Sequence, residues 1–207
     1  MATPKSSPSP TPSSNDLSPS PRHTEAVDRF VEFWGTMASN WGINRSMAQV
    51  YALLYCAEQP LNTDDIMDRL QISRGNANMN LRSLVEWDLV EKTSVSGSRK
   101  DHYVAEKDVW QITARIIEER EQREVRPVKA RLQSLADHLI PEDETLDELT
   151  EADRRLYRRL QNLVELMEVF DGVSEALLPL VKSRNETLIR QLISFAKAME
   201  QEAADQD

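Results

Sequence analysis

The sequence predicts a mainly α-helical protein that carries one small β-hairpin. Apolar residues recur at spacings of three and four along most of the 207 residues, which is the period of an amphipathic helix. Strand-forming residues cluster around a single glycine turn at Gly97. The five glycines and the lone Cys56 argue against a glycine-rich nucleotide-binding fold and exclude an intramolecular disulfide framework.

The first segment of the chain differs in composition from the rest. Residues 1–21 contain six of the ten prolines and seven serines, so they cannot bury enough apolar surface to order themselves, and a disordered tail is predicted there. No window approaches the ~18 consecutive apolar residues of a membrane-spanning helix. The first twenty residues also lack the apolar region of a secretory signal. We therefore expect a soluble, cytoplasmic protein with no membrane partner.

Two helices are predicted at the start of the region 22–107. The first runs from Thr24, a candidate N-cap, to a stop at Gly42. The second spans about Ser46 to Ala57 and directs Tyr51 inward, with its other apolar residues at helical spacing. Both helices therefore have one face available for a common core.

The next stretch predicts a pair of capped helices followed by the hairpin. Asn62 and Asp65 form a candidate capping box for a short helix, and Ser73 is a candidate cap for a helix that ends near Trp87. Strand formers then flank the Gly97 turn and predict a two-stranded hairpin over residues 90–104; they are Val90, Val95, Tyr103 and Val104. This order of elements is that of a winged helix-turn-helix.

Long helices are predicted over the remaining residues, 108–207. One covers about 108–139, with Pro127 kinking or dividing it. After an acidic connector at 141–149, Thr150 caps a second helix, and a last helix is predicted to begin near Val173 with Pro179 early in it. Their heptad-like apolar seams need a partner surface, so these helices either fold into a bundle on themselves or pack against a second chain. We therefore predict that residues 108–207 form the interface of a homodimer.

Charge is distributed unevenly along the chain. Residues 22–115 carry 11 basic and 13 acidic side chains, whereas residues 116–207 carry 13 basic and 21 acidic ones. Within the acidic chain, residues 69–107 have 7 basic against 5 acidic side chains, a local excess of +2. A local positive patch is compatible with a nucleic-acid partner even where the whole chain is acidic.

The helix predicted from Ser73 to Trp87 has two contrasting faces. A helical wheel places Ala77, Leu81 and Leu84 together on the buried side, and Asn80 close to them in a structural role. The opposite side is polar and basic, and such side chains read adenine and guanine edges or hold phosphate. The same pattern also suits an ordinary solvated face. The candidate contacts on this helix are Arg74, Asn76, Asn78, Met79 and Arg82.

The tip of the hairpin adds two adjacent cations. Arg99 and Lys100 follow the glycine turn and are placed to contact phosphates or the minor groove beside the helix. Asp101 is placed to orient Arg99 through an ion pair. A plain soluble hairpin rim is the alternative interpretation.

These residues resemble the MarR-type winged-helix regulators. The run SRGNANMNLRSLVEW and the turn GSRKDHY are similar to the motifs S-[KR]-G-N-x-[SN]-M-N-L-R-x-L-x-x-W and G-[DS]-R-K-x-x-Y of the glycine betaine synthesis repressor-like subgroup. The resemblance covers about residues 26–120. It implies a dimeric repressor that binds double-stranded DNA through the helix and wing contacts named above. Met79 stands where many MarR-type proteins have arginine, and a methionine there can contact a thymine methyl group.

The resemblance further implies a choline-like effector, because quaternary ammonium groups bind over aromatic faces. An aromatic cage is conceivable where the first helices meet the long one, although such a stripe is often plain core; its members are Trp34, Trp41, Tyr51, Tyr55 and Trp110. Cys56 is expected to be a buried apolar residue, with a redox sensor as the alternative.

The sequence offers no catalytic or metal-binding constellation. Its three histidines, His23, His102 and His138, stand at no metal-ligand spacing, and no cofactor is expected. The paired acids Asp64 and Asp65 are interpreted as the start of a helix. Two alternatives to a DNA-binding regulator stay open: a winged-helix module that binds another protein, and a small-molecule sensor that does not bind DNA.

Overall fold

The computed structural model describes residues 20–140, 145–146 and 148–204. The tail predicted over residues 1–21 therefore lies outside the described residues, except for Ser20 and Pro21. A π-helical turn separates α5 from α6. In chain order the elements are α1 Pro21–Asn40, α2 Arg45–Cys56, β1 Leu61–Asn62, α3 Thr63–Leu70, α4 Arg74–Glu86, β2 Val90–Thr93, β3 His102–Ala105, α5 Val109–Arg120, the π-turn Glu121–Val125, α6 Arg126–Asp137, α7 Glu151–Lys182 and α8 Glu186–Ala204.

The first helix begins earlier than its sequence predicts. The N-cap is Ser20, whose hydroxyl accepts a hydrogen bond from the His23 backbone N–H at 3.2 Å. The prediction of Thr24 as the N-cap is wrong, because Pro21 already supplies a helical φ at the first position of the helix. At the other end Gly42 has φ +77°, a conformation that glycine adopts without steric cost. The predicted stop at Gly42 is confirmed.

The helix-turn-helix is built as predicted. Asn62 accepts hydrogen bonds from α3 backbone N–H groups while Asp65 accepts from the Asn62 N–H, which completes the capping box. Ser73 caps α4 by accepting from the Asn76 N–H at 3.3 Å. Side chains from both helices join one hydrophobic core together with α2, the sheet and Ile112 of α5. The least exposed large side chains there are Val50, Leu54, Ile66, Leu81 and Leu84.

The sheet has three strands rather than the predicted two. The antiparallel hairpin pairs β2 with β3, with Val90 opposite Ala105, and β1 pairs with the other side of β3 to give the order β1-β3-β2. Two residues are too short for an alternating pattern, so only the pairing with β3 defines β1. Val95 was predicted as a strand residue and lies in the loop instead. With this sheet and the helices before it, the fold is a winged helix-turn-helix.

The long helices differ from the prediction at their prolines. Pro127 is the second residue of α6, which follows the π-turn without a break. The helical run is therefore not divided at Pro127, and the π-turn widens it locally. The predicted start of a last helix near Val173 is wrong, because α7 continues through Pro179 to Lys182. Pro179 is exposed, so solvent can satisfy the carbonyl that loses its N–H partner. The acidic connector at 141–149 lies mostly outside the described residues.

Helix α7 packs against α5 and α6, which follow the winged domain in the chain. Lys129 of α6 donates a hydrogen bond to Asp171 of α7 at 2.8 Å, and Glu118 of α5 is paired with Lys182 of α7. Among the helices in the described ranges, none is both long and apolar enough to cross a membrane.

Candidate nucleic-acid interface

Helix α4 presents the two faces that its sequence predicts. Ala77, Leu81 and Leu84 are at most 1% exposed and pack into the core. Met79, by contrast, is 57% exposed, and Arg82 on the same side is exposed as well. Solvent therefore reaches the polar face along the middle of the helix.

Two asparagines are partly engaged inside α4. Asn80 is 3% exposed, and its side-chain amide donates to the Asn76 carbonyl at 2.9 Å and to the Asn76 side-chain oxygen. This arrangement agrees with the structural role expected of Asn80. Asn76 is half-buried, and its side-chain oxygen is engaged by this bond from Asn80. Asn78 is exposed, and its side-chain oxygen accepts a long hydrogen bond from the Thr63 hydroxyl at 3.4 Å.

Asp64 brings the helix and the wing together. Its carboxylate accepts hydrogen bonds from the Arg74 guanidinium, at the start of α4, and from the Lys100 ammonium of the wing at 2.8 Å. The bonds from Lys100 and Arg74 hold the pKa of the Asp64 carboxyl below its usual value. The same carboxylate raises the pKa of Lys100. Two of the predicted cationic contacts are therefore gathered at one point, between α3, α4 and the wing.

Other contacts order the wing itself. Gly97 adopts φ +83° at the turn, and the buried ring of His102 lies 2.9 Å, Nδ1 to oxygen, from the Lys100 carbonyl. Asp101 bonds Lys92 across the hairpin at 2.8 Å, so the predicted pair between Asp101 and Arg99 is wrong. Arg99 is exposed at the tip.

The contribution of Asp64 was missed by sequence reasoning. Asp64 was interpreted only as an acid at a helix N-terminus, which it also is, since its N–H is bonded by Asn62 at 2.9 Å. Its partners lie 10 and 36 residues away, beyond any local spacing rule. The available signal was the geometry of the motif, which sets the start of α3 beside the start of α4.

A second feature is an apolar cavity of about 880 Å³ between α1, α2, the end of α4 and α5. Four of the five aromatic residues predicted for a cage line it; they are Trp34, Trp41, Tyr51 and Tyr55. Trp110 is not part of the lining, and Trp87 takes its place. The indole N–H of Trp87 is buried and has no hydrogen-bond partner in the described chain. Such a donor is available to an acceptor atom of a ligand.

Cys56 and possible metal ligands were the other chemical features that the sequence raised. Cys56 is half-buried, so the expectation of a buried residue is wrong. Its partial burial raises the pKa of the thiol, which lowers its fraction of reactive thiolate. In the ranges that the structure describes, no three His, Cys, Asp or Glu side chains converge as a metal site.

Comparison with known proteins agrees with this geometry. Residues 41–101, which include the helix-turn-helix and most of the wing, match the model of the MarR family. The chain is 28% identical over 101 residues to the HTH-type transcriptional repressor GbsR of Bacillus subtilis (strain 168), an alignment that covers 49% of this chain and 56% of that protein. The chain thus spans little more than half of that relative.

Two further comparisons extend beyond the winged domain. The putative HTH-type transcriptional regulator YvaV of Bacillus subtilis (strain 168) is 23% identical over 152 residues, covering 72% of this chain and 84% of that one. A crystal structure of a transcriptional regulator superposes with a TM-score of 0.53 at 21% identity, covering 76% of this chain and 99% of the other. At this identity the structural match supports the fold alone.

Proposed function

We propose that this protein is a DNA-binding transcriptional regulator that acts as a repressor. Helix α4 enters the major groove, and the wing over residues 90–104 contacts the flanking DNA. The observation that carries the proposal is the exposed polar face of α4 lying beside the cations of the wing, joined to it at Asp64. The match of residues 41–101 to the MarR family model and the similarity to two named transcriptional regulators support the same class.

The roles of the individual side chains follow from their chemistry and exposure. Asn78 offers an exposed amide that can bond adenine bidentately, and Arg82 can bond guanine or a phosphate. Met79 offers an apolar surface to a thymine methyl group. Asn76 lies in the first turn of α4 and contacts the DNA there, where backbone N–H groups also attract phosphate. The remaining proposed contacts bind phosphates on either side of the groove; they are Arg74, Arg99 and Lys100.

The regulator acts as a homodimer. Both C-terminal helices carry apolar side chains that no other described element covers, and contiguous exposed apolar surface of this kind marks an interaction site. Two copies joined through residues 108–207 place two α4 helices in successive major grooves, ~34 Å apart, on a pseudo-palindromic site. The exposed apolar side chains include Leu163, Leu166, Phe170, Leu188, Leu192, Phe195 and Met199.

A choline-like effector is proposed for the aromatic cavity. Trp34, Trp41, Tyr51 and Tyr55 supply the faces over which a quaternary ammonium group binds. The cavity touches the end of α4 through Leu84 and the long helices through Ile116. In the dimer, a ligand that binds more tightly at one spacing of the two α4 helices than at another would therefore shift the DNA-binding equilibrium.

Paired arginine substitutions test the DNA-binding role. Arg74→Ala with Arg82→Ala removes two contacts of α4, so affinity for a duplex selected from a random pool falls by about 100-fold or more. Arg158→Ala with Arg159→Ala, two exposed arginines of α7, removes the same charge away from the reading face and leaves affinity within about threefold. Fluorescence anisotropy measures both. Equal losses in the two variants would contradict the proposed interface.

The exposed apolar side chains of α7 and α8 favour one other function, a winged-helix module that binds a protein partner. Such a module keeps its partner when Arg74 and Arg82 are replaced and does not bind duplex DNA. A small-molecule sensor also leaves duplex DNA unbound, while it retains quaternary amines in calorimetry.

A further inference from the structure

Asp64 stands at the centre of a three-residue ion cluster, here named the Asp64 latch, made by Asp64, Arg74 and Lys100. Asp64 lies in the first turn of α3, Arg74 is the first residue of α4, and Lys100 lies in the wing. Each cation bonds a different carboxylate oxygen, Oδ1 for Arg74 and Oδ2 for Lys100. A single carboxylate therefore fixes the relative positions of the two DNA-contacting elements.

The latch is accessible to solvent. The Arg74 and Lys100 side chains are 60% and 59% exposed, and that of Asp64 is 35% exposed. Exposed ion pairs exchange partners at little cost in free energy. Two cations against one carboxylate leave a net charge of +1 facing outward, and Arg74 retains further N–H donors because guanidinium has five. The cations can thus bond DNA from their latched positions or leave Asp64 to follow phosphates elsewhere.

These two modes differ in what they recognise. Latched cations are held at one separation, which fits a duplex only when α4 is seated in its proper register. Released cations follow any phosphate path, and that kind of contact carries no sequence information. A carboxylate beside the DNA also repels every phosphate, and non-specific binding consists almost wholly of phosphate contacts.

We propose that Asp64 is a specificity-determining residue, which restrains Arg74 and Lys100 and so suppresses binding to random DNA more than binding to the operator. This inference rests on the proposed DNA-binding function. It assigns to Asp64 a positioning role, in which the aspartate contacts the two cations and the cations contact the DNA.

Asp64→Asn tests the proposal on the full chain. The probes are a duplex enriched from a random pool by the wild-type protein and a scrambled duplex of the same composition, measured by anisotropy over a range of salt. Affinity for the scrambled duplex rises by about fivefold or more, because one repelling charge is removed and two cations are released. Its salt slope steepens by about one to two, at ~0.9 per added phosphate contact. The enriched-to-scrambled affinity ratio falls by about fivefold.

Asp68→Asn is the matched control. Asp68 lies one turn along the same helix and is exposed, and no described ion pair involves it, so its replacement changes the net charge equally without releasing either cation. Both affinities then rise together, and their ratio stays within about twofold. Asp64→Glu keeps the charge and restores most of the ratio. Circular dichroism checks that each variant is folded.

The outcomes separate this proposal from the proposed function. If wild-type protein binds the enriched duplex but Asp64→Asn and Asp68→Asn change the affinity ratio equally, the latch proposal is overturned and the DNA-binding function stands. If folded wild-type protein binds neither duplex, both are overturned.

Discussion

Tyr51 illustrates how a single side chain joins two parts of the winged domain, α2 and the segment that follows β3. It is 5% exposed in the middle of α2, and its hydroxyl donates a hydrogen bond of 2.8 Å to the Glu106 carbonyl, just after β3. Burial, the nearby Tyr55 and Glu106 raise the pKa of Tyr51, so the phenol keeps its donor proton throughout the neutral range. The bond lies in a half-buried position, so water only partly compensates a carbonyl that loses this donor.

Tyr51→Phe is therefore expected to lower the free energy of unfolding by about 1 kcal/mol or somewhat more. Urea unfolding followed by far-ultraviolet circular dichroism measures the change. Tyr55→Phe is the matched control, since Tyr55 lies one turn along α2 with its ring 6.1 Å from that of Tyr51 and has no described hydrogen bond through its hydroxyl. Equal losses of stability from the two substitutions would contradict this role of the Tyr51 hydroxyl.

Helix α8 carries, at the element scale, the apolar stripe from which the homodimer is proposed. Leu188, Leu192, Phe195 and Met199 recur at spacings of four, three and four and form one stripe. They are between 43% and 64% exposed. Fully burying an apolar side chain of this size contributes about 1.5–3 kcal/mol. A second copy that covers the exposed part of each side chain would supply a share of that free energy. The homodimer is thus proposed from this unpartnered stripe.

Leu192→Glu is expected to weaken dimerisation by about 10-fold or more, because it removes an apolar contact and places a charge in the interface. Sedimentation velocity over a range of protein concentrations measures the dissociation constant. Ser194→Glu, an exposed position outside the stripe, introduces the same charge and leaves the constant nearly unchanged. A wild-type monomer, or equal effects of the two variants, would contradict a dimer interface on α8.

The elements could be predicted from sequence where their signals are local. The caps Asn62 and Ser73 lie within three residues of the N–H groups that they bond, so their spacing alone identifies two helix starts. Strand β1 could not be predicted, because only its pairing with β3 defines it. The continuation of α7 through Pro179 was missed for a related reason. A helix tolerates an exposed proline near its end when tertiary contacts hold the helix in place. Local helix propensity does not report such contacts.

At the same scale, the candidate interface could be predicted only in part. The exposed face of α4 follows from helical periodicity, and the wing cations follow from the glycine turn at Gly97. The bonds that join Arg74 and Lys100 at Asp64 depend on three elements meeting in space, so no sequence spacing reports them.

The whole molecule separates its charges along the chain. Residues 69–107 have a local excess of +2, whereas residues 116–207 carry −8. Most of that negative excess lies in the connector at 141–149, which has five acidic and no basic side chains. The surface formed by α4 and the wing carries the positive excess and is therefore suited to face a duplex. In the proposed complex each protomer offers four cations to DNA there, and the proposed dimer offers twice that set; the four are Arg74, Arg82, Arg99 and Lys100.

The most direct test of a DNA-reading dimer is the salt dependence of its affinity for a duplex pool drawn from the DNA upstream of its own gene. We expect saturable binding that weakens by about 10³-fold or more between about 50 mM and about 200 mM salt, as 6–10 phosphate contacts require. Absence of saturable binding at the lower salt, from protein shown to be folded and dimeric, would contradict the central claim.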